Sequence, residues 1–208
     1  MVSIIGLQTK NWDIQQVDTP RFSPVVGAGF LAAPSSILKD VPFDPFLPWI
    51  FIGEEIILSS RLWTSGYDFF SPQQAVIGHN YQRQNEPRFW ESMHHLIAPS
   101  AHELLEELVV SRINHQLGFP EAAKDAVPKE ILSSIEDYSM GTVRSLDDYM
   151  KFIGVDVTRK EITRLRWCED GMPPPGLEHL KHLYNWLDKL LKPKKSWVSQ
   201  LIGALKEI

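Results

Sequence analysis

The sequence has 208 residues, of which 43% are hydrophobic and 23% are charged, and this ordinary globular composition excludes wholesale disorder. Its 26 acidic and 21 basic side chains give a formal net charge of −5, which argues against binding to duplex nucleic acid because such proteins carry the opposite sign. The single cysteine and the lack of both a ~20-residue apolar run and a basic N-terminal signal region favour a reducing, cytoplasmic location without a transmembrane segment.

The predicted elements of the first half form part of an α/β sheet domain. In chain order they are a buried strand at 25–33, a proline-spaced loop at 41–48, a helix at 54–65, and short strands at 67–70 and 75–79. Gly27 and Gly29 leave room for another group to approach the first strand, and Gly66 ends the helix. No stretch before Val25 is long enough for a first βαβ unit, so we expect an incomplete sheet whose exposed edge favours association between chains.

From about residue 98 the pattern changes to short helices with start and stop signals. Helices are predicted to begin near 100, 145, 158, 176 and 197. The capping sequences start at Ser100, Ser145 and Thr158, and the stops of the first two helices are Gly118 and Gly154. The sequence therefore predicts an α/β region at 1–97 followed by a mainly helical region at 98–208.

Several catalytic motifs are missing from the sequence. It has no glycine-rich phosphate loop, no His-Glu-x-x-His or Cys-x-x-Cys metal motif and no Gly-x-Ser-x-Gly nucleophile elbow. Cys168 is more readily explained as a packing residue than as a reactive thiol. His179 and His182 lie three apart on a predicted helix, where a solvated face is the alternative to a shared metal.

One group of residues suits recognition of a polyhydroxylated ligand. Glu54 and Glu55 follow a glycine at the start of a predicted helix, and Trp49, Phe51 and Trp63 flank them. Carboxylates accept hydrogen bonds from sugar hydroxyls, and aromatic rings cover the apolar C–H face of a pyranose. The alternative is structural, because acidic residues at helix N-termini are stabilised by the helix dipole.

A second group lies just downstream, at the end of the strand predicted at 75–79. His79 is followed by Asn80, Tyr81 and Arg83, a set that suits binding of a metal ion or a phosphate. A histidine packed at the edge of the core is the alternative for His79. Arg83 either contacts a phosphate or forms a surface ion pair.

The order of several motifs resembles the GlcNAc-transferase family, whose best-known members are cytoplasmic hydroxyproline N-acetylglucosaminyltransferases. The motifs in the first half are AGFLAAPS at 28–35, VPFDPFLP at 41–48, FIGEEI at 51–56, RLWTSGYDFFSP at 61–72 and HNYQR at 79–83. Those in the second half are YSMG at 138–141, RSLDDY at 144–149 and GVD at 154–156. The resemblance covers about residues 25–156.

This resemblance implies a GT-A-like fold, a UDP-sugar donor, a hydroxyl acceptor such as a hydroxyproline-bearing protein, and retention of anomeric configuration. It also implies a divalent metal, Mn²⁺ in the first instance, which acts as a Lewis acid on the diphosphate. The positions that match the family are Glu54 and Glu55 as catalytic residues, His79 as a metal ligand, and Gly53, Trp63, Asp68 and Arg83 as substrate-binding residues. For Trp63 and Asp68, and for Arg61 beside them, an indirect structural role is the alternative.

The sequence departs from the family in its N-terminal part. The nucleotide-binding half, with its Asp-x-Asp or Asp-x-His metal motif, is expected before Val25, and no Asp-x-Asp occurs in the sequence. We therefore expect a fragment, an enzyme that works with another polypeptide, or a protein without catalytic activity. The alternative function is a non-catalytic carbohydrate- or protein-binding remnant, and a third is an interaction module built from the helices after Ala98.

Overall fold

The fold combines short strands with helices. The computed structural model describes residues 3–6, 21–71, 86–120, 122, 127–165 and 167. The strands are β1 (Ser3–Gly6), β2 (Arg21–Phe22), β3 (Leu31–Ala32), β4 (Asp68–Ser71), β5 (Val155–Asp156) and β6 (Glu161–Ile162). The helices are α1 (Ile37–Asp40), α2 (Glu54–Thr64), α3 (Phe89–Leu96), α4 (Pro99–Gln116) and α5 (Leu146–Phe152), with a 3₁₀ helix at Ile135–Tyr138.

Four of the strands form a small mixed sheet in the order β2-β4-β1-β3. Strands β1 and β4 are parallel, with Ile4 opposite Phe69, whereas β2 and β3 pair antiparallel with β4 and β1. This mixture of helices and sheet is consistent with the predicted α/β class. The expectation of an incomplete sheet without a first βαβ unit stays a prediction, although two short strands, β1 and β2, precede Val25. They have only four and two residues, too few for a clear periodic pattern. Association through the edge strands β2 and β3 stays a prediction.

The run at 25–33 is mostly irregular, with a turn at 28–29, and only Leu31 and Ala32 belong to a strand. The prediction of one long buried strand is therefore wrong. The physical reason is that backbone N–H groups in this run bond to side chains of α2 and not to a neighbouring strand. Val26 donates to Ser59 Oγ at 2.9 Å, and Ala28 donates to Glu55 Oε1 at 2.8 Å.

Helix α2 ends as the sequence predicts. Gly66 adopts φ +98°, the left-handed conformation that glycine reaches without steric cost. Its N–H donates to Trp63 O at 3.0 Å, and the N–H of Tyr67 donates to Leu62 O at 3.0 Å. These two bonds form a Schellman motif, which satisfies the last helical carbonyls and turns the chain directly into β4. The strand predicted at 67–70 is thereby confirmed as β4, one residue further on.

Helix α4 begins differently from the prediction and ends in agreement with it. It starts at Pro99 with Ala98 as the N-cap residue and without a side-chain cap, so the predicted capping by Ser100 is wrong. Proline suits the first helical position because an N–H there would lack an intrahelical partner. The predicted stops are confirmed, since Gly118 after α4 and Gly154 after α5 adopt φ +72° and +71°.

The two remaining capping predictions have opposite outcomes. Ser145 is confirmed as the N-cap of α5, because its Oγ accepts the N–H of Asp148 at 3.0 Å. Thr158 does not begin a helix. It lies in the turn of the antiparallel hairpin β5–β6, where Asp156 Oδ1 accepts its N–H at 3.0 Å. The helices predicted at 176–191 and 197–208, and the residues Cys168, His179 and His182, lie outside the described residues.

The hydrophobic core draws on both halves of the chain. Leu62 and Phe69 come from α2 and β4, while Val109 and Tyr149 come from α4 and α5. One cluster of buried side chains thus includes residues on both sides of the predicted boundary between 97 and 98. Within the described ranges, no helix has the length and apolar character needed to cross a membrane.

Candidate functional site

The predicted carboxylate pair lies at the first turn of α2, and glycine sets its position. Gly53 is the N-cap residue with φ +101°, a conformation that strains any other residue. A Cβ at this position would lie 3.2 Å from Ile113 Cδ1 of α4. Gly53 therefore lets the chain turn sharply while packed against α4, and it presents Glu54 and Glu55 in the first helical turn.

Glu54 is half-buried, and its environment favours the protonated form. Burial raises the pKa of the Glu54 carboxyl, the backbone hydrogen bond at Glu54 opposes this, and the negative charge of Glu55 adds to the increase. A carboxyl with a raised pKa exchanges protons closer to neutral pH than a free glutamate does. This is the property that a general base or a proton-sharing contact to a hydroxyl requires.

Glu55 is exposed but has a defined partner. Its Oε1 accepts the backbone N–H of Ala28 at 2.8 Å. One helical turn further along, Ser59 Oγ accepts the N–H of Val26 at 2.9 Å. The turn containing Gly27 and Gly29 is therefore attached to α2 by two side chains.

Aromatic side chains stand exposed in the loop before α2. Trp49 is 45% exposed and Phe51 is 51% exposed. Trp49 has φ +53°, a left-handed conformation that costs energy for a residue with a side chain and that clusters at functional sites. Phe51 stacks on Phe89 of α3 with ring centroids 5.5 Å apart. The loop thus holds two aromatic faces in solvent immediately before the carboxylate pair.

A shallow depression lies between this loop and α4. The loop side consists of residues 48–52, and the α4 side is lined by His102, Leu105, Glu106, Val109 and Val110. Its lining is mostly apolar and includes the Glu106 carboxylate and His102, a combination that suits a ligand with both C–H faces and hydroxyl groups.

Trp63 and Asp68, at the other end of α2, are both buried. Trp63 is 7% exposed, and the Arg144 guanidinium lies 4.0 Å from its ring centroid. Arg144 also forms an ion pair with Asp68 at 2.7 Å and donates to the carbonyls of Trp63 and Tyr67 at 2.8 and 2.6 Å. These contacts explain both residues by packing and ion pairing, and their predicted contact with substrate stays a prediction.

The motifs of the two halves meet at this end of α2. Gly141 N donates to Thr64 Oγ1 at 2.8 Å, and the N–H groups of Val143 and Arg144 donate to Thr64 O at 2.9 and 3.1 Å. A Cβ on Gly141 would lie 2.4 Å from Ser65 N, so only glycine fits there. The motifs RLWTSGYDFFSP and YSMG therefore form one packed unit although more than sixty residues separate them in the chain.

A buried ion pair holds the proline-spaced loop at 41–48. Arg112 of α4 donates to Asp44 Oδ2 at 2.8 Å, and the two side chains are 0% and 1% exposed. Asp44 Oδ1 also accepts the N–H of Phe46 at 2.9 Å, and the Phe46 ring lies 4.9 Å from the guanidinium. Sequence reasoning missed Arg112. The signal for it was a charged residue between apolar positions of α4, Val109 and Ile113.

Arg61 is also buried at this loop. It donates to the carbonyl of Pro42 at 2.8 Å, and its guanidinium lies 5.8 Å from the Tyr138 ring centroid. Burial lowers its pKa, and the nearby charge of Asp44 opposes this effect. Arg61 thus ties the loop to α2, which supports the structural interpretation of this residue.

The predicted metal ligand is His79 and the predicted phosphate contact is Arg83. Both lie outside the described residues. Within the described ranges, no group of three or more His, Cys, Asp or Glu side chains is arranged to hold a metal ion.

Comparison with known proteins identifies the family. The family model described as Glycosyltransferase (GlcNAc) matches residues 3–159, so the chain belongs to this glycosyltransferase family, as the sequence motifs predicted. Membership supports a glycosyltransferase activity in general, with a sugar donor and an acceptor as substrates. Neither the comparison with curated proteins nor that with solved structures gives a match.

Proposed function

We propose that the chain belongs to an enzyme that moves GlcNAc from UDP-GlcNAc to a hydroxyl group of an acceptor, with retention of configuration. The acceptor is a protein side chain of the hydroxyproline type, the fold is of the GT-A type, and the location is cytoplasmic. Family membership supports the general activity. The observation that carries the site assignment is the half-buried Glu54 carboxyl with its raised pKa, which follows the exposed Trp49 and Phe51 closely in the chain.

In this proposal Glu54 contacts the acceptor hydroxyl or the transferred sugar. Its carboxylate accepts a hydrogen bond from a hydroxyl group, and its raised pKa brings proton exchange closer to neutral pH. The exposed faces of Trp49 and Phe51 cover apolar C–H surface of the bound ligand. Gly53 orients this end of α2 through its left-handed backbone.

Trp63 and Asp68 act indirectly in this proposal. Both are held by Arg144 at the C-terminal end of α2, about 15 Å along the helix axis from Glu54 at 1.5 Å per residue. A side chain at that distance does not reach the same sugar ring. We therefore assign Trp63 and Asp68 to holding α2 in place.

The donor side of the site rests on the sequence resemblance alone. We propose that His79 ligates a divalent cation such as Mn²⁺ and that Arg83 contacts a donor phosphate. Imidazole is a suitable ligand for such ions, and the bound cation would neutralise charge on the diphosphate. Replacing His79 by alanine should raise the Mn²⁺ concentration needed for half-maximal activity, whereas an unchanged metal titration would remove His79 from the site.

The role of Glu54 is tested by Glu54→Gln, with Asp147→Asn as a matched control. Both residues lie in the first turn of a helix, so each substitution removes one carboxylate from a helix N-terminus. Transfer from UDP-GlcNAc is measured as UDP release with a hydroxyproline-containing peptide, on the native protein with any copurifying chain. We expect Glu54→Gln to lose at least ~10²-fold in kcat, the scale of one catalytic contact, and Asp147→Asn to remain normal.

Two results would contradict the proposal. Normal transfer by Glu54→Gln would remove Glu54 from the site. An absence of UDP release from the unaltered protein, combined with binding of the peptide or of GlcNAc, would favour the non-catalytic binding remnant instead.

A further inference from the structure

The two carboxylates at the start of α2 have different surroundings. Glu54 is half-buried and faces no described protein donor apart from the backbone at its own position. Glu55 is exposed, and its Oε1 already accepts the N–H of Ala28 at 2.8 Å. Glu55 therefore already bonds to the protein backbone, whereas the Glu54 carboxylate is available to a ligand.

The contact of Glu55 is part of a wider attachment. Glu55 and Ser59 are four residues apart and lie on the same face of α2. Ser59 accepts the N–H of Val26, and Glu55 accepts the N–H of Ala28. These two donors are two residues apart in the chain. The helix face thus takes the place of a neighbouring strand, and it holds the segment that the sequence alone predicts as a β-strand.

The segment held in this way lies against the N-terminal half of α2, whose first turn also carries Glu54. Ala28 and Gly29 are exposed and Gly27 is half-buried, so this turn is largely open to solvent. An open glycine-rich backbone allows close approach of a ligand. Its position relative to Glu54 depends on two hydrogen bonds, from Val26 and Ala28 to α2.

We propose that Glu55 is a positioning residue, which holds the turn 27–29 through Ala28 as one wall of the site where Glu54 contacts the acceptor. This inference rests on the proposed function. The role of Glu55 needs an oxygen acceptor at the right place and does not need a negative charge. The amide oxygen of a glutamine accepts the same N–H, so glutamine replaces glutamate at position 55 but not at position 54.

The test compares Glu55→Gln and Glu55→Ala with Glu54→Gln. We expect Glu55→Gln to change the acceptor KM less than Glu55→Ala does. Glu55→Ala should raise the acceptor KM by roughly 5- to 10-fold with a smaller change in kcat, because an exposed hydrogen bond contributes modestly. Ser59→Ala should shift KM in the same direction. Glu54→Gln should instead lower kcat.

Hydrogen exchange of the Ala28 amide gives a second readout that does not depend on activity. The amide of Ala28 should exchange several-fold faster in Glu55→Ala and at the normal rate in Glu55→Gln. Loss of kcat in Glu55→Gln as large as that in Glu54→Gln would overturn the positioning role. Faster Ala28 exchange with an unchanged acceptor KM would also overturn it, while leaving the role of Glu54 to be judged by Glu54→Gln alone.

Discussion

The two ends of α2 carry the same kinds of residue in different surroundings. At the N-terminal end, Trp49 is exposed and Glu54 is half-buried. At the C-terminal end, Trp63 and Asp68 are buried, and Arg144 contacts both. A tryptophan beside a carboxylate is thus consistent with a ligand site at one end of the helix and with core packing at the other. Burial and existing partners separate the two cases.

The largest expected difference between the two ends concerns their tryptophans. Trp63→Ala should lower the free energy of unfolding by about 3–5 kcal/mol, because it leaves a cavity among the rings of Tyr149 and Phe152. Trp49→Ala should cost less, about 1 kcal/mol, since this residue is 45% exposed. Urea unfolding measures both values. Equal losses of unfolding free energy in the two variants would show that both tryptophans serve stability, which contradicts the proposed difference between the two ends of α2.

The glycine that begins α2 should show a smaller effect. Gly53→Ala places a Cβ on a residue with φ +101° and 3.2 Å from Ile113 Cδ1, so we expect a loss of about 1–2 kcal/mol in the free energy of unfolding. Gly118→Ala is the control, because its φ is +72° and no atom lies within 4 Å of the added Cβ. Both variants should lose stability by thermal unfolding, but only Gly53→Ala should also lower transfer. A normal rate in Gly53→Ala would show that the direction of α2 is not critical for the site.

The smallest effect is a dependence of stability on pH. Because the pKa of Glu54 is raised in the folded protein, folding is favoured by protonation of this group. Its contribution is fully present below the ordinary pKa of 4.5 and is lost as the pH rises through the higher folded value. The free energy of unfolding of the native protein should therefore fall relative to that of Glu54→Gln as the pH rises above about 4.5. A relative increase over this range would show that the pKa is lowered instead.

Local sequence signals predicted the parts of the fold that depend on neighbouring residues. The stop at Gly66 and the cap at Ser145 are decided within one helical turn, and both are confirmed. The strand predicted at 25–33 is mostly absent because its N–H groups bond to Ser59 and Glu55, more than twenty-five residues away. Periodicity alone does not contain that information.

For the candidate site too, the sequence predicted which residues belong together but not their surroundings. The pairing of Glu54 and Glu55 with aromatic neighbours was visible in the sequence, but the difference between the two carboxylates depends on the distant Ala28. Residue type alone could not show that Trp63 is buried and Trp49 is exposed. The burial of Trp63 arises from contacts with Arg144 and Tyr149, which lie about eighty residues further along the chain. The family motifs located both ends of α2 without showing which end faces a ligand.

The central claim is that the N-terminal end of α2 serves chemistry and the C-terminal end serves stability. Parallel measurement of kcat and of unfolding free energy for Glu54→Gln and Asp68→Asn tests it most directly. Glu54→Gln should lose at least ~10²-fold in kcat with little change in stability. Asp68→Asn should lose about 2 kcal/mol of stability through its weakened bond to Arg144, and its folded fraction should transfer normally. A large loss of kcat in folded Asp68→Asn, with normal transfer by Glu54→Gln, would reverse the assignment of the two ends.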